Sequence, residues 1–119
     1  MADEPTTILE SVKDKIGIIE GDDAFDGDLL DYIGASVATL NQLGVENTVL
    51  VDKDTKYDEL WTADTSNETK QLAITYIKLN TKLMFDTPAS GAENSNKNAA
   101  LAQIEWRIGI SVSSYNESK

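Results

Sequence analysis

Carboxylates dominate the side chains of this sequence that could do chemistry, and two clusters of them suggest a cation-binding loop. The first is Asp22-x-x-x-Asp26-Gly27-Asp28 and the second is Asp52-x-Asp54. A helix–loop–helix calcium loop needs oxygen ligands at its first, third and fifth positions and a bidentate glutamate at its twelfth. Counted from Asp22, the third position is Ala24 and the twelfth is Ile33. Counted from Asp52, the fifth is Lys56 and the twelfth is Ala63. Neither cluster is therefore expected to hold calcium specifically, and weak screening by divalent ions is the most the acidic turn supports.

Composition closes the other routes to chemistry. The chain has no histidine and no cysteine, which removes the commonest general base, the best nucleophile, most zinc ligands and any disulfide. No G-x-S-x-G, phosphate-binding loop or dinucleotide glycine fingerprint is present. The carboxylates lie in polar turns, without the apolar frame that would raise a pKa into the working range of a general acid. We expect no enzymatic activity and no cofactor.

The elements that carry these turns are helical. Thr6 or Thr7 can cap a first helix with Leu9, Val12 and Ile16 as its apolar stripe and Gly17 as its stop. After the acidic turn, a second helix runs to about Leu43, with Leu30, Ile33, Val37 and Leu40 facing the core and Gly44 ending it. Asp26 and Asp28 sit at its start, where the helix dipole favours negative charge. Thr65-Ser66-Asn67-Glu68 has capping-box spacing and opens a third helix that ends before Pro88. This helix is apolar on more than one face (Tyr76, Ile77, Leu83 and Phe85 among others), so it is either central to the core or shared with another chain. Residues 89–98 have the small, polar composition of a loop. A fourth helix carries Leu101, Ile104 and Ile108, with Gly109 as a point of fraying.

Between the second and third helices, residues 45–64 lack a long element. Thr48–Val51 is compatible with a short strand and Tyr57–Trp61 with one helical turn. So long an irregular connection suggests a functional or partner-ordered loop. Tyr57, Leu60 and Trp61 are read either as a local mini-core or as anchors for a neighbouring subunit, because large aromatics dominate interface energies. Trp106 and Arg107 are further interface candidates, Trp106 packing either on its own third helix or on a neighbour, and Arg107, beside Glu105, forming an ion pair either between subunits or on the surface. The expected architecture is all-α: one four-helix bundle-like domain over residues 1–112, with the irregular loop, followed by a flexible tail over 113–119.

The formal net charge is −11, and it is uneven: residues 1–31 hold ten acidic and two basic side chains, against eleven and eight in the remainder. Such a surface repels nucleic acid, whose binding rests on cations displacing counterions. It also repels copies of itself, so a homo-oligomer must bury enough apolar surface to offset that repulsion. No run of about 18 apolar residues occurs, hence no membrane span is expected. The acidic Met1–Pro5 start lacks an apolar signal core.

Two sets of residues carry a resemblance. Leu9-Glu10-Ser11-Val12-Lys13, Ile16-Gly17-Ile18 and Asp23-x-x-Asp26-x-x-Leu29-Leu30-x-Tyr32-Ile33-x-Ala35 resemble the N-terminal half of bacteriophage head–tail connector proteins. Tyr76-Ile77-Lys78-Leu79, Lys82-Leu83-Met84-Phe85-Asp86-x-Pro88 and Ile104-Glu105-Trp106-Arg107-Ile108 are similar to the paired terminal helices of these adaptors. The resemblance implies a structural virion protein at the head–tail junction, assembled in the host bacterial cytoplasm. It implies a ring of roughly a dozen copies beneath the portal, extending the DNA channel and docking a tail-completion or stopper protein. DNA would pass without sequence-specific binding. Related proteins use a C-terminal extension to grip the portal, and the tail here is short. A second class also fits the composition: a small acidic helical regulator that mimics DNA charge and binds a basic protein.

Overall fold

The computed structural model describes residues 7–19, 21–47, 49–62, 65–85 and 91–117, the side chains of 91–95 and 114–117 excepted. Thr7 opens helix α1 (Ile8–Ile16) with a reciprocal cap. Its Oγ1 accepts from the Glu10 N–H at 3.1 Å, and Glu10 Oε1 accepts from the Thr7 N–H at 3.3 Å. Two of the helix's orphan donors are thereby satisfied. Gly17 ends it in the left-handed region (φ 95°), donating to the Lys13 carbonyl at 2.9 Å.

Helix α2 (Asp26–Gln42) buries Leu29, Ile33, Ser36, Val37 and Leu40. Leu29, not Leu30, is the fully buried leucine at its start, while Leu30 is half-buried against the core's edge. The 29–33–36–40 spacing keeps one narrow stripe on the inner face, and Leu30 lies a third of a turn away from it. Gly44 follows with φ 104°, and a Cβ there would sit 2.9 Å from Val112 Cγ1.

The connection that follows is ordered by its own chain. The Ile8 N–H donates to the Thr55 carbonyl at 2.9 Å, and isolated bridges pair Thr7 with Lys56 and Asn47 with Trp61. A single turn, α3 (Tyr57–Leu60), packs Leu60 into the core with no exposure. Val49–Val51 form no strand; Thr48 lies outside the described residues. Val49 and Leu50 point to solvent and find no partner strand.

Helix α4 (Asn67–Phe85) begins one residue later than the capping-box spacing suggested: Ser66 Oγ, rather than Thr65, accepts from the Thr69 N–H at 3.2 Å. It packs against α1, α2 and α5 together, which accounts for its apolar residues on more than one face within a single chain. Ala73, Tyr76 and Ile77 are buried; Leu83 and Phe85 are half-buried and touch the core. The Phe85 ring meets Phe25 edge to face, 5.1 Å between centroids, and so closes the end of the bundle beneath the acidic turn.

Helix α5 (Gly91–Glu117) is far longer than its apolar periodicity implied. Residues 91–98, expected as loop, are helical; the helix passes through Gly109 and continues over residues 113–117, where a tail was expected. Adding residues to a packed helix is cheap compared with nucleating one, so Leu101 and Ile108, buried against α4, carry the polar stretches with them. Ile104 is half-buried on the same side. Among the described residues all regular structure is helical, and the four long helices form the bundle.

Polar pairs fix the register of the seams. Thr69 and Ser111 share a buried hydrogen bond of 2.6 Å, and the Tyr76 hydroxyl donates to Glu105 Oε2 at 3.0 Å, both between α4 and α5. Asn80 Nδ2 donates to Ser36 Oγ at 2.9 Å, joining α4 to α2. Burial, with the Glu105 carboxylate as the second cause, pushes the Tyr76 hydroxyl from 10.0 up to about 12.

These contacts generate three predictions. Gly109→Ala should raise stability by about 1 kcal/mol, since a Cβ there meets nothing within 4 Å and glycine costs a helix interior about that much. Gly44→Ala should cost more than about 1 kcal/mol, through both the left-handed backbone and the Val112 contact; denaturant midpoints measure both. Because the folded-state pKa of Tyr76 is raised, the stability it contributes is full below pH 10 and lost as pH rises from 10 to about 12. Wild-type stability should fall more steeply across that window than that of Tyr76→Phe, read from denaturation curves at stepped pH.

Candidate functional site

The carboxylate clusters serve the local backbone. Asp22 Oδ1 accepts from the Ala24 N–H at 3.1 Å, and Asp26 pairs with Lys13 Nζ at 2.8 Å, tying α1 to the start of α2. Asp52 Oδ1 accepts from the Asp54 N–H at 2.8 Å and from Thr55 Oγ1 at 3.0 Å, an Asx turn. Those bonds hold the Asp52 carboxyl below its usual pKa, the Asp54 N–H first among the causes. Among the described residues no group of three or more carboxylates is arranged to hold a metal ion.

The five interface candidates divide into two groups. Leu60 has no exposed surface and lies in the core. Tyr57 and Trp61 are half-buried against the core, and the Tyr57 hydroxyl shares a 2.6 Å hydrogen bond with Ser11 Oγ on α1. Burial raises the Tyr57 pKa, and the Ser11 bond opposes that shift in part. The Tyr57 bond ties the loop to α1, while Leu60 anchors it in the core. Trp106 and Arg107 lie instead on the outer face of α5: Trp106 is 68% exposed and Arg107 is exposed.

Ile110, 45% exposed and one turn from Trp106, extends this patch. Together with Leu72, Gln71 and Glu68 of α4, the three α5 residues line an open groove. Arg107 is the chain's sole arginine, and it has no ion-pair partner among the described residues.

Two further surfaces carry no local signal in the sequence. One is a recess of about 120 Å³ between α1, α4 and α5, with Leu79, Leu83, Ala100 and Leu101 as its apolar lining and Lys15, Lys82 and Lys97 around them. Its three cations come from three different helices, so only the packing brings them together. The other is the Val49–Leu50 tip, which lies over the Gly34–Asn41 face of α2 with Leu50 91% exposed.

The geometry is that of a small helical body with structural polar pairs inside and apolar, charge-marked patches outside. No helix is long and apolar enough to cross a membrane among the described residues. A family model described as phage connector protein matches residues 8–114, from the first residue of α1 into the last turn of α5. No match is found among curated proteins or among solved structures. The chain belongs to the phage connector protein family, whose members are structural parts of the virion that associate with other head and tail proteins.

Proposed function

We propose that this protein is a head–tail adaptor: copies of it form a ring beneath the portal, extend the DNA channel and provide the platform for a tail-completion or stopper protein. Assembly takes place in the host cytoplasm, and the mature ring sits at the head–tail junction. No catalytic step is assigned to it. Beyond the family, the observation that carries this reading is the Trp106–Arg107–Ile110 face of α5, left open after α5 has packed on α4. Tryptophan and arginine are the residue types in which interface energy concentrates, and a chain of net charge −11 needs apolar contact to hold copies together. The acidic excess suits a channel wall, since negative walls let DNA slide instead of sticking.

The test is co-assembly with the cognate portal. Trp106→Ala combined with Ile110→Ala should leave helicity intact and change stability by only about 0.5 kcal/mol, as exposed substitutions do. The same double substitution should weaken ring formation at least tenfold, in keeping with a hot spot of about 2 kcal/mol. Rings of the double variant at wild-type occupancy would remove this face from the interface. A wild-type chain that never joins the portal would sink the adaptor reading as a whole.

A further inference from the structure

We infer that the cationic recess between α1, α4 and α5 receives the Val49–Leu50 tip of the next copy, making a head-to-tail joint between subunits. This rests on the ring proposed above. A closed ring of identical chains uses a heterologous interface, in which each copy presents two different, complementary patches. The recess and the tip supply such a pair within one chain.

The match is one of size and of charge. The recess measures about 120 Å³ and is lined by Leu79, Leu83, Ala100 and Leu101. An engineered apolar cavity of roughly 150 Å³ holds a benzene ring, so this one is sized for a single leucine-like side chain. Leu50, at 91% exposure, is the most exposed large hydrophobic among the described residues. Lys15, Lys82 and Lys97 around the recess have no ion-pair partner among the described residues. Segment 45–54, which carries the tip, has Glu46, Asp52 and Asp54 against Lys53, a net charge of −2. Three converging lysines with no ion-pair partner among the described residues suit an acidic occupant, and this segment is one.

Placement agrees. The tip lines an open groove with Gly34, Val37, Ala38 and Asn41 of α2, and no residue of α1, α4 or α5 lines that surface. The recess is lined by α1, α4 and α5 alone. The Asn80–Ser36 hydrogen bond places the α4 segment containing Leu79 and Leu83 level with the middle of α2. Tip and recess therefore lie at similar heights on different sides of the bundle. Copies related by rotation about an axis running along the helices would bring one against the other.

The acidic turn is the rival occupant, because Ile19 is 78% exposed beside Asp22 and Asp23. It fits less well. Lys15 stands four residues before Ile19, so each recess already has its own subunit's turn nearby. Docking a neighbour's turn there would crowd two segments that each hold five carboxylates between residues 20 and 28.

The cysteine-free chain makes the joint directly testable. A disulfide forms only where Cα atoms come within roughly 7 Å, and both Leu50 and Ala100 are exposed, so neither substitution disturbs the core. Leu50→Cys combined with Ala100→Cys, oxidised under conditions where wild type forms rings, should give a ladder of covalent multimers on a non-reducing gel. The ladder should collapse to monomer on reduction, and each single variant should give no species larger than a dimer. Rings without the ladder would overturn the tip-in-recess joint and leave the adaptor reading standing. A ladder from Ile19→Cys with Ala100→Cys, in place of the Leu50 pair, would overturn it in favour of the acidic turn. Absence of rings from wild type, alone and with the portal, would remove the adaptor reading and this joint with it.

Discussion

Covering α4 is the constraint on which the rest of the structure depends. A helix with apolar side chains on several faces cannot face water on any broad side, and here α1, α2 and α5 close around it. Once they do, little freedom remains. The Thr69–Ser111 and Tyr76–Glu105 bonds set α5 antiparallel to α4 in one register, and Asn80–Ser36 joins α4 to α2. Buried hydroxyl and amide groups are costly unless paired, so sliding either helix by a turn would break these pairs as well as the apolar packing.

Satisfying α4 within one chain changes where an interface has to be sought. The helix itself needs no neighbour, and the irregular loop is fastened by Leu60, by the Tyr57–Ser11 bond and by the Ile8–Thr55 backbone bond. What remains open is on the outside: the Trp106 face of α5, the lysine-marked recess and the Leu50 tip. Each joins apolar surface to charge, a combination suited to association between acidic chains. Apolar contact supplies attraction that salt does not screen, and the few cations blunt the long-range repulsion.

Much of the local structure was legible from residue order. The Gly17 and Gly44 stops, the Val12 stripe and the one-sided pattern of α2 depend on neighbours within a turn or two. Even there, resolution was about one residue: Leu29 replaced Leu30 at the buried position, and Ser66 replaced Thr65 at the cap. The length of α5 was not legible, because the polar residues at both of its ends have weak preferences that packing in the middle overrides. The part of the candidate site on Trp106 and Arg107 could be proposed from residue type alone. The recess could not, as Lys15 lies more than half the chain away from Lys82 and Lys97.

By itself, then, the sequence determined that this protein is helical, strongly acidic, without the usual catalytic side chains, and similar to phage connectors. The first three follow from composition or from short-range periodicity, which survive without knowledge of packing, while the similarity to connectors is a resemblance carried by particular motifs such as Tyr76–Leu79 and Ile104–Ile108. Tertiary structure alone decided that α4 is covered by its own chain, that Leu60 belongs inside and Trp106 outside, and that three distant lysines surround one apolar recess. Burial is a relation between elements: a side chain's own type and spacing say that it will be covered, and only the arrangement of the other helices says by what.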